Sequence, residues 1–178
     1  MGVTVKIYLP MFIGRRNANS SFYLSTANGG LVQGSSKAPK LSSEGISICV
    51  DYFKKRGHKE VVVFVPQFRT KMGQCDNPET LERLNYQGIL KYTPCRQING
   101  HAYNSYDDRF IVQYAALTNG VIVSNDNYRD LAHENYAALK DVIDKRLLKF
   151  VWVGNTLMFS QDPLGRNGPT LEEFLKHS

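Results

Sequence analysis

The 178-residue sequence predicts a three-layer α/β sandwich: a mostly parallel central sheet with helices on both faces. Three observations predict it. Stretches of helical and strand character alternate from Ser43 onward. Glu60-Val61-Val62-Val63-Phe64-Val65-Pro66 is almost continuously apolar, as a strand buried on both faces is. Val121-Ile122-Val123 is a short β-branched segment, preceded by a helical run and followed within three residues by Asp126.

The elements follow in order. Val3-Thr4-Val5-Lys6-Ile7-Tyr8-Leu9 has strand composition, whereas 14–21, Asn28-Gly29-Gly30 and Gly34-Ser35-Ser36 read as loop or linker. Ser43 is placed to cap a helix with Ile46, Val50 and Phe53 on one face, and Gly57 ends it. Pro66 stops the strand that follows, leaving Gln67 to Met72 as an exposed basic loop. Pro78 opens a short helix that Gly88 ends. Ile89 to Pro94 is a further strand, Arg96 stands at its carboxyl edge, and 98–101 is a turn. A helix is expected from Phe110, just after Asp107 and Asp108, up to Thr118-Asn119-Gly120. A second amphipathic helix covers 136–147, and Leu148 to Val153 is one strand turning at Gly154-Asn155 into Thr156 to Phe159. A short helix closes the chain at 170–175.

Composition is that of a globular protein, with 42% hydrophobic and 21% charged residues. The three cysteines lack CxxC spacing, which argues against a disulfide framework and for a reducing compartment; Cys49 reads as core. No stretch approaches the ~18 apolar residues of a membrane span, and the early charges follow rather than precede the apolar patches, unlike a secretory signal. The net charge of +6 is uneven. Residues 1–43 carry five bases and no acid, whereas 44–178 carry 17 bases and 16 acids. A basic protein with an acidic crevice suits a polyanion bridged by metal, so nucleic acid is a fitting partner; simple solubility is the plainer reading of the charge.

Asp107, Asp108, Asp126 and Asp130 are the candidate chemistry. Ligands gather at the carboxyl ends of parallel strands, and acids packed together there repel unless a cation joins them. Mg²⁺ and Mn²⁺ take such oxygen ligands. Taken singly, each acid has a plainer reading, as a helix cap or a turn former.

From about Glu44 to Leu175 the chain resembles the NYN branch of the PIN-like nucleases, above all the Regnase/MCPIP-type endoribonucleases. The resemblance is carried by Glu44-Gly45-Ile46, Arg56-Gly57-His58, Val63-Phe64-Val65-Pro66 and Thr93-Pro94-Cys95-Arg96. Two longer motifs carry most of it: Tyr106-Asp107-Asp108-Arg109-Phe110-Ile111-Val112 and Val123 to Leu131. Asp162-Pro163-Leu164-Gly165-Arg166-Asn167-Gly168-Pro169 completes it. The resemblance implies a PIN-like domain over 44–178 behind an atypical segment, 1–43, of which part is expected to be disordered. It implies Mg²⁺- or Mn²⁺-dependent cleavage of RNA, leaving a 5′-phosphate and a 3′-hydroxyl, in mRNA decay. Asp107, Asp108, Asp126 and Asp130 match the family's catalytic and metal-binding acids. Arg96 matches an arginine the family uses on RNA, and Arg69, Lys71, Arg129 and Asn125 join it as RNA-binding candidates. Tyr106 or Tyr128 can stack a base, or pack, which is the commoner use of an aromatic. The expected substrate is single-stranded or stem-loop RNA, with self-association through the domain and a cytoplasmic location that extends to the nucleus or RNA granules.

The sequence departs from the family at its start. The family opens with a strand ending in Asp-Gly-Ser-Asn, whose Asp is a principal metal ligand; here no acid precedes Glu44, and Ala27-Asn28-Gly29-Gly30 has no carboxylate. His101 and Ala102 stand where relatives often carry bases, and Gln161 where they usually have Asp. Either 1–43 replaces an exon bearing that motif, or the ligand is lost. The second case makes the chain a catalytically impaired module that binds RNA or a protein.

Overall fold

The computed structural model describes residues 41–67, 75–93, 105–134 and 136–176, and the backbone of the strands at 7–10, 13–14, 23–24, 96–98 and 101–103. Side chains are described at 41–67, 75–93, 108–134 and 136–176. The elements are β1 (Ile7–Pro10), β2 (Ile13–Gly14), β3 (Tyr23–Leu24), α1 (Ser43–Lys55), β4 (Val61–Pro66), α2 (Pro78–Tyr86), β5 (Leu90–Thr93), β6 (Arg96–Ile98) and β7 (His101–Tyr103). They continue with α3 (Ser105–Thr118), β8 (Val121–Val123), α4 (Arg129–Ala132), α5 (Ala137–Lys145), β9 (Leu147–Leu148), β10 (Phe150–Val153), β11 (Thr156–Phe159) and α6 (Leu171–Phe174).

The α/β expectation holds. Five strands form one sheet in the order β5-β4-β1-β8-β9, every pairing parallel. The strand expected near the amino terminus lies at the centre, with Ile7 opposite both Val61 and Val121. From β1 the chain steps outward through β4 to β5, then crosses back to β8 and β9 on the other side. The order therefore reverses between β1 and β8, and such a switch point opens a crevice at the carboxyl edge.

Alternation along each strand builds two cores. Val61, Val63, Val65, Val121, Val123 and Leu148 face one core with α1, α2 and α6. Ile122, Leu147, Val62 and Phe64 face the other, with Ile111, Val112 and Ala115 of α3 and Leu139 and Val142 of α5. Phe53, wholly buried, meets Phe159 of the β10–β11 hairpin at 5.5 Å between ring centres, so the hairpin closes the first core.

Four local expectations need correction. Ser42, not Ser43, caps α1: its Oγ accepts from the Gly45 N–H at 3.3 Å. The stretch 96–103, expected to turn after a strand, is an antiparallel hairpin with Arg96 opposite Tyr103, so Arg96 begins β6. The segment 148–153 is two strands, because Leu147 and Leu148 pair in the central sheet whereas Phe150 to Val153 pair with β11. Asp107 and Asp108 lie inside α3 rather than before it, since the helix starts at Ser105. Gly57 ends α1 as expected, with φ +90°, a conformation that suits glycine.

The start of α1 is tied to the loop after β4. Asp76 accepts from the Ser42 hydroxyl at 2.9 Å, the Ser43 N–H at 2.8 Å, the Ser43 hydroxyl, and the Asn77 N–H at 2.7 Å. Burial disfavours its charge, but the bonds from Ser43, Ser42 and Asn77 outweigh that and hold its pKa below the usual value. Asp76→Ala leaves the buried Ser42 and Ser43 hydroxyls without this acceptor and is expected to cost about 1–3 kcal/mol. Because the folded pKa is depressed, the wild-type advantage should be complete above the ordinary aspartate pKa of about 3.9 and disappear as pH falls through the folded value. Urea unfolding of both proteins from pH 7 downward measures this.

Candidate active site

Parallel pairing brings the carboxyl end of each strand, and the amino end of the helix leading to the next, to one edge. At that edge α3 presents Asp107 and Asp108 in its first turn, where the helix dipole favours negative charge. β8 delivers Ser124 to Tyr128, and β9 delivers Lys149.

The loop after β8 is built from short hydrogen bonds. The Ser124 N–H donates to the Leu148 carbonyl at 3.1 Å, carrying the β8–β9 pairing one residue further. The Asp126 N–H donates to Ser124 Oγ at 3.0 Å, and Asp126 Oδ1 accepts from the Tyr128 N–H at 2.8 Å. Asn125 is gripped on both sides by one residue: its Nδ2 donates to the Phe150 carbonyl at 2.9 Å and its Oδ1 accepts from the Phe150 N–H at 3.0 Å. In Asn125, an RNA-binding candidate, the amide braces the acid loop against β10.

Tyr128 is the hub. Its backbone is left-handed, with φ +48°, uncommon for a bulky residue. That turn sends the ring into the second core, where it is 3% exposed. Its hydroxyl, oriented toward Ser124, makes no hydrogen bond of ordinary geometry among the described residues. Burial is the main cause of a strongly raised phenol pKa; Ser124 opposes it, and the negative charges of Asp108 and Asp126 add to it. The two acids, eighteen positions apart, thus both stand at the carboxyl edge of the sheet, one opening α3 and one following β8. Of the two tyrosines considered for stacking, Tyr128 is packed in the core, and the Tyr106 side chain lies outside the described residues.

The remaining candidates are placed as follows. Asp108 and Asp126 are half-buried, and Asp130 and Arg129 are exposed on α4. Arg109 bridges α3 to the residues after α4 by a two-pronged pair, Nη1 to Glu134 Oε1 at 3.2 Å and Nη2 to Oε2 at 2.8 Å. That pair sets the helix carrying Asp108 against the one carrying Asp130. The side chains of Asp107 and Arg96, and all of Arg69 and Lys71, lie outside the described residues.

Among the described residues no group of three or more His, Cys, Asp or Glu is arranged to hold a metal ion. Asp108 and Asp126, both half-buried at the carboxyl edge, are the carboxylates there with described side chains that could contribute to a metal site. Mg²⁺ keeps several waters and takes one or two carboxylates, with substrate phosphates completing its shell.

Residue-level reading missed Lys149. Its Nζ donates to the main-chain oxygen of Asp126. Burial lowers its pKa, and the nearby Asp126 charge partly offsets the shift. The signal was faint: one base between Leu148 and Phe150 at a strand's end.

Residues 24–173 match the Zc3h12a-like Ribonuclease NYN domain family. The chain belongs to this family. It is 42% identical over 136 residues to Endoribonuclease rege-1 of Caenorhabditis elegans, a stretch that covers 75% of this chain and 21% of the relative. The chain thus spans about a fifth of that protein's length. Two solved structures of nuclear protein-only RNase P 2 from Arabidopsis thaliana are also similar, each at 16% identity. Their TM-scores are 0.46 and 0.45, over 70% and 64% of this chain and 24% of each structure, a likeness too slight to support an argument. Among the described residues no helix is long and apolar enough to cross a membrane.

The braces differ in weight. Asn125→Ala removes two bonds in a partly buried loop and is expected to cost about 1–3 kcal/mol. Arg109→Ala removes a largely exposed pair and should cost no more than about 1 kcal/mol. Urea unfolding compares them; equal losses would show that the Asn125 brace is not the stronger one.

Proposed function

We propose that this chain is the nuclease domain of an endoribonuclease that cleaves RNA with the help of a divalent cation, Mg²⁺ or Mn²⁺. One observation carries the reading: the all-parallel sheet brings Asp108, in the first turn of α3, and Asp126, just after β8, to the same carboxyl edge, both half-buried. Membership of a ribonuclease family supports RNA as the substrate. Asp108 and Asp126 would hold the cation, with Asp107 and Asp130 as companions. Bound there, a divalent ion polarises a phosphoryl oxygen and makes water a better nucleophile near neutral pH.

The chain's own groups supply the rest. Asn125, Ser124 and the left-handed Tyr128 fix the direction of the Asp126 carboxylate. Arg129, exposed next to Asp130, offers a charge to the phosphate backbone, and Arg96, Arg69 and Lys71 are its proposed partners in holding RNA. Single-stranded or loop RNA suits a crevice at strand ends, because its backbone is not confined in a duplex. The proposal keeps mRNA decay as the process, a cytoplasmic setting extending to the nucleus or RNA granules, self-association through the domain, and a division at residue 43 between an atypical segment and the nuclease domain.

A second reading has its own support. Central strand β1 ends at Pro10 beside the switch point, and no acid precedes Glu44. In the resembled family this strand leads to a principal ligand. A chain without that ligand would bind RNA or a protein and cleave poorly.

One experiment separates the readings. With Mn²⁺, the purified chain should cut a labelled single-stranded RNA. Asp108→Asn and Asp126→Asn should each slow cleavage more than about a hundredfold, beyond the range of outer-shell losses, while RNA binding persists. RNA bound but uncut at every Mn²⁺ concentration would favour the impaired module. RNA neither bound nor cut at low salt would end both readings.

A further inference from the structure

Lys149 is the residue at this edge that the proposed chemistry leaves unused. Its placement is tightly determined. Val123 pairs with Leu148, so Lys149 comes level with Ser124 as β9 ends. The next residue, Phe150, is held through both main-chain groups by Asn125. A paired strand on one side and a two-bond brace on the other thus pin the Lys149 backbone. Its half-buried side chain then directs the ammonium to the main-chain oxygen of Asp126.

Two further facts give this contact meaning. Asp126 Oδ1 is occupied by the Tyr128 N–H, and Oδ2 has no partner among the described residues. The ammonium bonds the Asp126 main chain, not its carboxylate, yet lies within that carboxylate's field. A positive charge therefore sits beside a carboxylate whose second oxygen has no partner among the described residues. A lysine ammonium is compact and always a donor, with three protons to place. One proton serves the loop; the charge acts on whatever approaches Oδ2.

We propose that Lys149 is a resident cation of the carboxylate crevice, a positioning residue that fixes the Asp126 loop and weakens the crevice's hold on a divalent ion. The inference rests on the proposed reading of that crevice as a metal site. Like charges several ångströms apart in a partly hydrated site repel enough to change divalent affinity about three- to thirtyfold. Lys149 thus sets how much free metal the site requires.

The test is Mn²⁺ binding by the whole chain without RNA, followed by the electron paramagnetic resonance signal of free Mn²⁺. Lys149→Met keeps an unbranched side chain, one atom shorter, and removes the charge; it should bind Mn²⁺ about three- to thirtyfold more tightly than wild type. Lys149→Arg keeps the charge and should stay within about twofold of wild type. Binding that appears only in Lys149→Met is the same result in stronger form. Equal or weaker binding by Lys149→Met, with wild-type binding that Asp126→Asn removes, would overturn the role of Lys149 and leave the metal site standing. No Mn²⁺ binding by wild type or by either Lys149 variant would overturn both. A cooperative thermal transition in metal-free buffer shows that each variant is folded, and Lys149→Gln replaces the Met variant if that one does not fold.

Discussion

Parallel pairing about β1 is the constraint on which the rest depends. Four residues, Ile7–Pro10, stand between β4 and β8 and hold the two halves of the sheet together. With every strand running the same way, the carboxyl edge collects the loop after β8, the end of β9 and the start of α3. The acids come to one edge because of this topology, since Asp108 and Asp126 are separated by a whole helix and strand. No local motif brings them together.

Within that frame the crevice is shaped by main-chain contacts more than by pairs of side chains. The Asn125 amide, the Ser124 hydroxyl and the Asp126 carboxylate all bond backbone groups. A carboxylate set this way has one oxygen bonded to the main chain and a second without a partner among the described residues. Tyr128 takes up the cost of the geometry: its left-handed backbone is offset by burying a large ring in the second core.

Much of the fold is legible in the sequence because apolar periodicity reports buried faces. The run Val61 to Val65 and the triplet Val121 to Val123 announce strands, and Ile46, Val50 and Phe53 announce a helix face. Periodicity says less about ends. The apolar face of α3 begins near Phe110, so its polar first turn, with Asp107 and Asp108, looks like an approach to the helix. The 96–103 hairpin is hidden because Arg96, Gln97 and His101 show no apolar alternation. At the site, the acids are visible as types at suggestive spacing, and the family's motifs gave them a chemistry. The Asn125 brace and the Lys149 contact are invisible locally, since each joins residues more than twenty positions apart.

The bond between Asn125 and Phe150 has a consequence for how the molecule is made. All strands of the central sheet but β9 precede Asn125 in the chain, so most of the sheet can pair while later residues are still being synthesised. The loop bearing Asp126 receives its final shape only after Phe150 has left the ribosome and β9 has docked. Until then the acids exist without their geometry. A chain cut short before Phe150 would therefore keep most strands of the central sheet and lose the brace on the Asp126 loop.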